Sequence, residues 1–67
     1  MSNLLKNRHS REAREAICAV MGQFSMVNGD LKELDRTALQ SMINQLNRAS
    51  LELRKLNALM ELDNADE

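Results

Sequence analysis

The chain of 67 residues has no proline, no tryptophan and no tyrosine, and its only aromatic residue is Phe24. Without proline, nothing in the chain forbids long unbroken helices. Without aromatics, a core has to be built from leucine, methionine, isoleucine, valine and alanine. Recognition of single-stranded nucleic acid, which leans on aromatic stacking, is disfavoured for the same reason. Cysteine is nearly absent. Cys18 stands alone, so an internal disulfide is excluded, and one cysteine with one histidine does not make a structural zinc site. Glycine occurs only at 22 and 29. The longest apolar run, residues 16–21, is far too short to cross a membrane. The first residues lack the apolar core and cleavage site of a signal peptide, which favours a cytoplasmic chain with a reduced thiol. No charge dominates either: the net charge of -1 gives no global basic field.

Periodicity is what the sequence does have. From Asp35 to Met60 the residues Leu39, Met42, Leu46, Ala49, Leu53, Leu56 and Met60 recur at alternating steps of three and four. That is the repeat of a helix packed lengthwise along another helix. Earlier in the chain Ala13, Ile17, Val20, Phe24 and Val27 repeat in the same way. The fold class expected is all-α: an antiparallel two-helix hairpin, with one helix over residues 10–28, a turn over 29–34 and a second helix over 35–62. Residues 1–9 form a flexible arm or an extension of the first helix. Residues 63–67 form an acidic tail that does not pack.

Local signals set these boundaries. Ser10 is a good N-cap, and Glu12 in the first turn suits the helix dipole. Asn28-Gly29 ends the helix, with the glycine taking the left-handed conformation. Asp30 with Glu33 fits a capping box. Asp35 is a second cap, flanked by Leu34 and Leu39 at the spacing of a hydrophobic staple. A short helical turn over 31–34 that bends into the main helix at Asp35 is therefore favoured over one continuous rod. Gly22 lies on a line of small residues with Cys18 and Ser25. It either lets another backbone approach or is simply tolerated, and Cys18 is read as a small packing residue. His9 is read as a partly exposed side chain with no catalytic role. Glu52 is placed to pair with Arg48 or Lys55 on the wet face.

Size and composition point to self-association. A chain this short rarely gains more than about 3–5 kcal/mol from its own core. Residues 16–27 carry no charge on any side, and a helix without a charged face is usually surrounded by others. The expected assembly is a homodimer, or a higher helical bundle. The residues expected at the oligomer or partner interface are Ile17, Val20, Met21, Phe24, Val27, Leu39, Met42, Leu46, Leu53, Leu56 and Met60. An amphipathic helix of another protein is the alternative occupant.

No catalytic constellation is present in the sequence. Asp30, Glu33 and Asp35 have capping explanations and do not match a calcium loop. There is no phosphate-binding glycine loop and no nucleophile elbow. Catalytic residues, cofactors and metals are accordingly not expected. The expected function is a small non-enzymatic interaction module of the regulator, adaptor or chaperone kind. Two alternatives come from other classes. One is a dimeric nucleic-acid-binding regulator using Lys6, Arg8, Arg11 and Arg14 as a phosphate-facing patch. In plan such a dimer is similar to the small four-helix bundles that regulate plasmid RNA, a likeness of architecture that no residue motif carries. The other is a structural subunit of a larger assembly.

Overall fold

The structure is a computed structural model that describes residues 2–65, with side chains placed for residues 3–62. Helix α1 spans Ser2–Met26, a short 3-10 turn spans Leu31–Glu33, and helix α2 spans Arg36–Ala65. The two long helices pack against each other as an antiparallel hairpin measuring 48 × 15 × 14 Å. No strand occurs among the described residues.

The first helix begins earlier than its capping signal suggests. Ser10 lies inside α1, and residues 2–9 extend the helix. The physical reason is the length of α2. Its 30 residues reach about 45 Å at 1.5 Å per residue. A first helix starting at Ser10 leaves the last turns of α2 bare, whereas the extension sets Lys6 and His9, neither of them exposed, opposite that segment. At the other end α2 continues to Ala65, beyond the expected stop at 62. The rest of the acidic tail, Asp66 and Glu67, lies outside the described residues.

The turn is built from local hydrogen bonds. Asn28, not Gly29, is the first left-handed residue, with φ of 52°, and Gly29 follows at 81°. The Asn28 amide donates to Ser25 O at 3.1 Å and the Gly29 amide to Phe24 O at 3.0 Å. These two bonds form a Schellman closure that satisfies the last carbonyls of α1. Glycine is needed at 29 for a second reason: a Cβ there would sit 3.2 Å from the Phe24 ring. Asp30 then caps the 3-10 turn, accepting from the Lys32 amide at 3.2 Å. Asp35 caps α2, accepting from the Ala38 amide at 2.8 Å. The bend at Asp35 is thus formed as its capping chemistry requires, and the chain reverses instead of running on as a rod.

The hairpin interior is narrow. Ala13, Ala16, Met42 and Ala49 are its buried side chains among the described residues. Half-buried Val20 and Gln23 of α1, Val27 just past its end, and Ala38, Gln45, Glu52, Leu56 and Leu59 of α2 continue the contact. The inner line is therefore His9, Ala13, Ala16, Val20, Gln23 and Val27 against Ala38, Met42, Gln45, Ala49, Glu52, Leu56 and Leu59. Both lines keep steps of three and four, but they are rotated from the seams expected from the sequence. Ala13, Val20, Val27, Met42, Ala49 and Leu56 stay on the inner lines. Ile17, Phe24, Leu46, Leu53 and Met60 fall outside, at least a third exposed. Leu39 sits half-buried at the margin. The cause is steric: alanines bring the helix axes closer than leucines allow, and closeness favours every other contact along the hairpin.

Candidate interaction surface

The hairpin has two unlike flanks. At 3.6 residues per turn, Arg48 and Leu46 stand on opposite sides of the line through Met42, Gln45 and Ala49. Arg48 marks a polar flank. Its guanidinium hydrogen-bonds Glu12 across the hairpin and reaches Glu15 at 3.4 Å. His9 Nδ1 meets Glu52 Oε2 at 2.5 Å, and Lys55 approaches the same carboxylate at 3.9 Å. Gln23 Nε2 lies 3.5 Å from Ala38 O. The pairs His9–Glu52, Glu12–Arg48 and Gln23–Ala38 keep one antiparallel register over most of the hairpin. His9 is more enclosed than its sequence context suggests, and Arg48 pairs with α1 and not with Glu52. These cross-helix partners were invisible in the sequence because the separations are 43 and 36 residues. The side-chain oxygens of Gln23 and Gln45 are buried without a partner.

The charge pairing has a pH consequence. Hydrogen bonding to Arg48 holds the Glu12 carboxyl below its usual 4.5, with the charges of Arg48, Arg11 and Arg8 acting in the same direction against partial desolvation. The hydrogen bond to Glu12 likewise raises Arg48. A carboxyl depressed in the folded state stabilises fully above its unfolded value, and that contribution is lost as pH falls through the folded value. The melting temperature should therefore drop as pH is lowered beneath about 4.5. Glu12→Gln should lower the neutral-pH melting temperature and flatten the acid limb, as followed by circular dichroism. An acid limb unchanged in this variant would show that other carboxylates set it.

The opposite flank is apolar. Along α2 a second three-and-four line runs through Leu39, Ile43, Leu46, Ser50, Leu53, Asn57 and Met60. Ile43, Leu46, Leu53 and Met60 are each about half exposed, Leu46 at 49%. Along α1 the matching line is Ile17, Met21 and Phe24, with Phe24 50% exposed. Ile17 joins Leu46, Ala49, Ser50, Leu53, Arg54 and Asn57 in one shallow groove, so the two lines share a side of the hairpin. Of the residues expected at an interface, six lie here: Ile17, Met21, Phe24, Leu46, Leu53 and Met60. Val20, Val27, Met42 and Leu56 contribute to the hairpin interior instead, and Leu39 borders both. Ile43 belongs to the same edge, although it lies outside the seam expected from the sequence. Its spacing of four from Leu39 and three from Leu46 was the available signal.

The remaining sequence features sit elsewhere. Arg8, Arg11 and Arg14 are exposed on α1 and make no ion pair with the described residues, while Lys6 is half-buried and engaged. Cys18 is exposed and so does not pack within the hairpin. No atom lies within 4 Å of a Cβ built at Gly22, so no backbone of this chain approaches there. Among the described residues no cluster of three histidine, cysteine or acidic side chains is arranged to hold a metal, and no helix is long and apolar enough to cross a membrane. The fold and this surface define an all-α helical hairpin with one apolar edge. Comparison with protein-family models, curated proteins and solved structures finds no significant match.

Proposed function

We propose that this protein is a small, non-enzymatic interaction module that works by docking its apolar edge against helical partner surfaces. One observation carries the reading: Ile17, Met21, Phe24, Ile43, Leu46, Leu53 and Met60 are exposed together on one flank, while the other flank carries the cross-helix ion pairs. Scattered exposed apolar residues need no explanation, but a continuous patch two helices wide marks an interaction site. Side chains of this edge lie at the i, i+3, i+4 and i+7 positions through which helix-in-groove partners are read. Methionines 21 and 60 supply adaptable packing surface. Such a module would serve as a regulator, adaptor or chaperone-like protein, in the cytoplasm on the sequence reading.

A photo-crosslinking residue placed at Ile43, in the cell that expresses the protein, tests this. Covalent adducts, whether to this chain or another, are expected from position 43 and not from exposed Ser41, which lies two residues away and so about 160° round α2. Absence of any adduct from position 43 would overturn the reading.

A second reading has its own observation. Arg8, Arg11 and Arg14 are exposed cations that make no ion pair with the described residues, which leaves them available to phosphate. On that reading the double substitution Arg11→Ala with Arg14→Ala abolishes binding to RNA or DNA at moderate salt and leaves the helical fold intact.

A further inference from the structure

We propose that the occupant of the apolar edge is the same edge of a second copy, so that two hairpins close into a four-helix bundle. This inference rests on the reading of that edge as an interaction surface, and it names the partner.

Surface area is the first argument. The chain exposes 5382 Å² at a mass of 7.6 kDa. The relation between area and mass for folded monomers gives about 4,300 Å² at that size, so this chain carries an excess of roughly 1,100 Å². A stable protein–protein interface buries about 800 Å² on each partner. One interface of that size removes most of the excess.

The width of the edge is the second argument. Ile17, Met21 and Phe24 on α1 and Ile43, Leu46 and Leu53 on α2 form two parallel ridges with a groove between them. A lone helix seated in the groove leaves the outer flanks of both ridges wet. A second hairpin has two ridges of its own and covers both. The third argument is one-sidedness. The flank opposite carries Glu12–Arg48 and His9–Glu52, and the exposed leucines off the edge, Leu4, Leu5 and Leu51, do not extend the seven-residue apolar patch, so this edge is the one surface favoured for association among the described residues. A single self-complementary surface closes by two-fold symmetry and does not propagate. In the closed bundle each helix buries both of its apolar lines, one inside its hairpin and one between hairpins. That is the wide stripe of a four-helix bundle.

The test uses the full chain. Light scattering coupled to size exclusion is expected to show a dimer in the micromolar range, and the melting temperature should rise with protein concentration. Leu46→Asp with Leu53→Asp places two carboxylates in the interface. It should weaken self-association by roughly a hundredfold or more, since each 1.4 kcal/mol is tenfold. Leu51→Asp, at an equally exposed leucine off this edge, should leave the dimer intact. If the double variant unfolds, the concentration dependence of wild-type melting still decides the matter. A wild-type chain that stays monomeric, with concentration-independent melting, overturns the proposal. A monomer whose position 43 cross-links to a different protein overturns the second copy as occupant and leaves the interaction module standing. A monomer giving no adduct overturns both.

Discussion

Met42→Ala is expected to leave the chain largely unfolded in dilute solution at 25 °C. Met42 is 7% exposed and is the one large side chain among the four that are buried; the others are alanines. Truncating a buried methionine to alanine costs about 2–5 kcal/mol, as lost burial plus the cavity left behind. A domain of this size seldom holds more than about 3–5 kcal/mol in reserve. The loss therefore consumes most or all of the stability. It should appear as a fall in helical circular dichroism and in the urea midpoint, measured at one fixed protein concentration because association contributes to both. A change under about 1 kcal/mol, the typical cost of an ordinary point substitution, would show that Met42 is not central to the hairpin.

The second large effect is expected from Ala16→Leu, and its direction runs against composition. For a chain short of core, a leucine in place of an alanine looks like an improvement, and the helix propensities are close. Ala16 is however fully enclosed, at 0% exposure, against the α2 line that carries Gln45 and Ala49. A leucine there has to push the helices apart. Overpacking of this kind costs about 1–3 kcal/mol. Separation also lengthens the contacts Glu12–Arg48 and His9–Glu52 on the same hairpin. A lowered urea midpoint is expected, whereas Ile17→Leu, one residue away on the apolar edge, should be close to neutral. An Ala16→Leu protein more stable than wild type would mean that the helices do not approach closely at the alanines. The pair of variants separates two neighbouring residues of which the expected seam includes only Ile17, although Ala16 is the one buried.

That contrast also explains what reading the residues in order could and could not reach. Two helices, their antiparallel reversal and the bend at Asp35 follow from local rules. Steps of three and four name a helix, Asn28-Gly29 terminates one, and Asp30 and Asp35 supply carboxylates to free amides. Each of these interactions spans five residues or fewer, so the sequence displays it directly. The extension of α1 to Ser2 was open from sequence, because residues 1–9 contain no helix breaker and the capping serine at 10 can equally lie inside a helix.

What the residues alone determined is that each helix carries a broad apolar stripe. The expected seams, Ala13–Ile17–Val20–Phe24–Val27 and Leu39–Met42–Leu46–Ala49–Leu53–Leu56–Met60, trace the midline of those stripes. Only the tertiary structure decided how each stripe divides: alanines and Met42 inward, and Ile17, Phe24, Leu46, Leu53 and Met60 to the outer edge. The division depends on how near two helix axes can come and on charges that pair across 33 to 43 residues of chain. Neither quantity is periodic, so neither leaves a mark in the spacing of apolar residues.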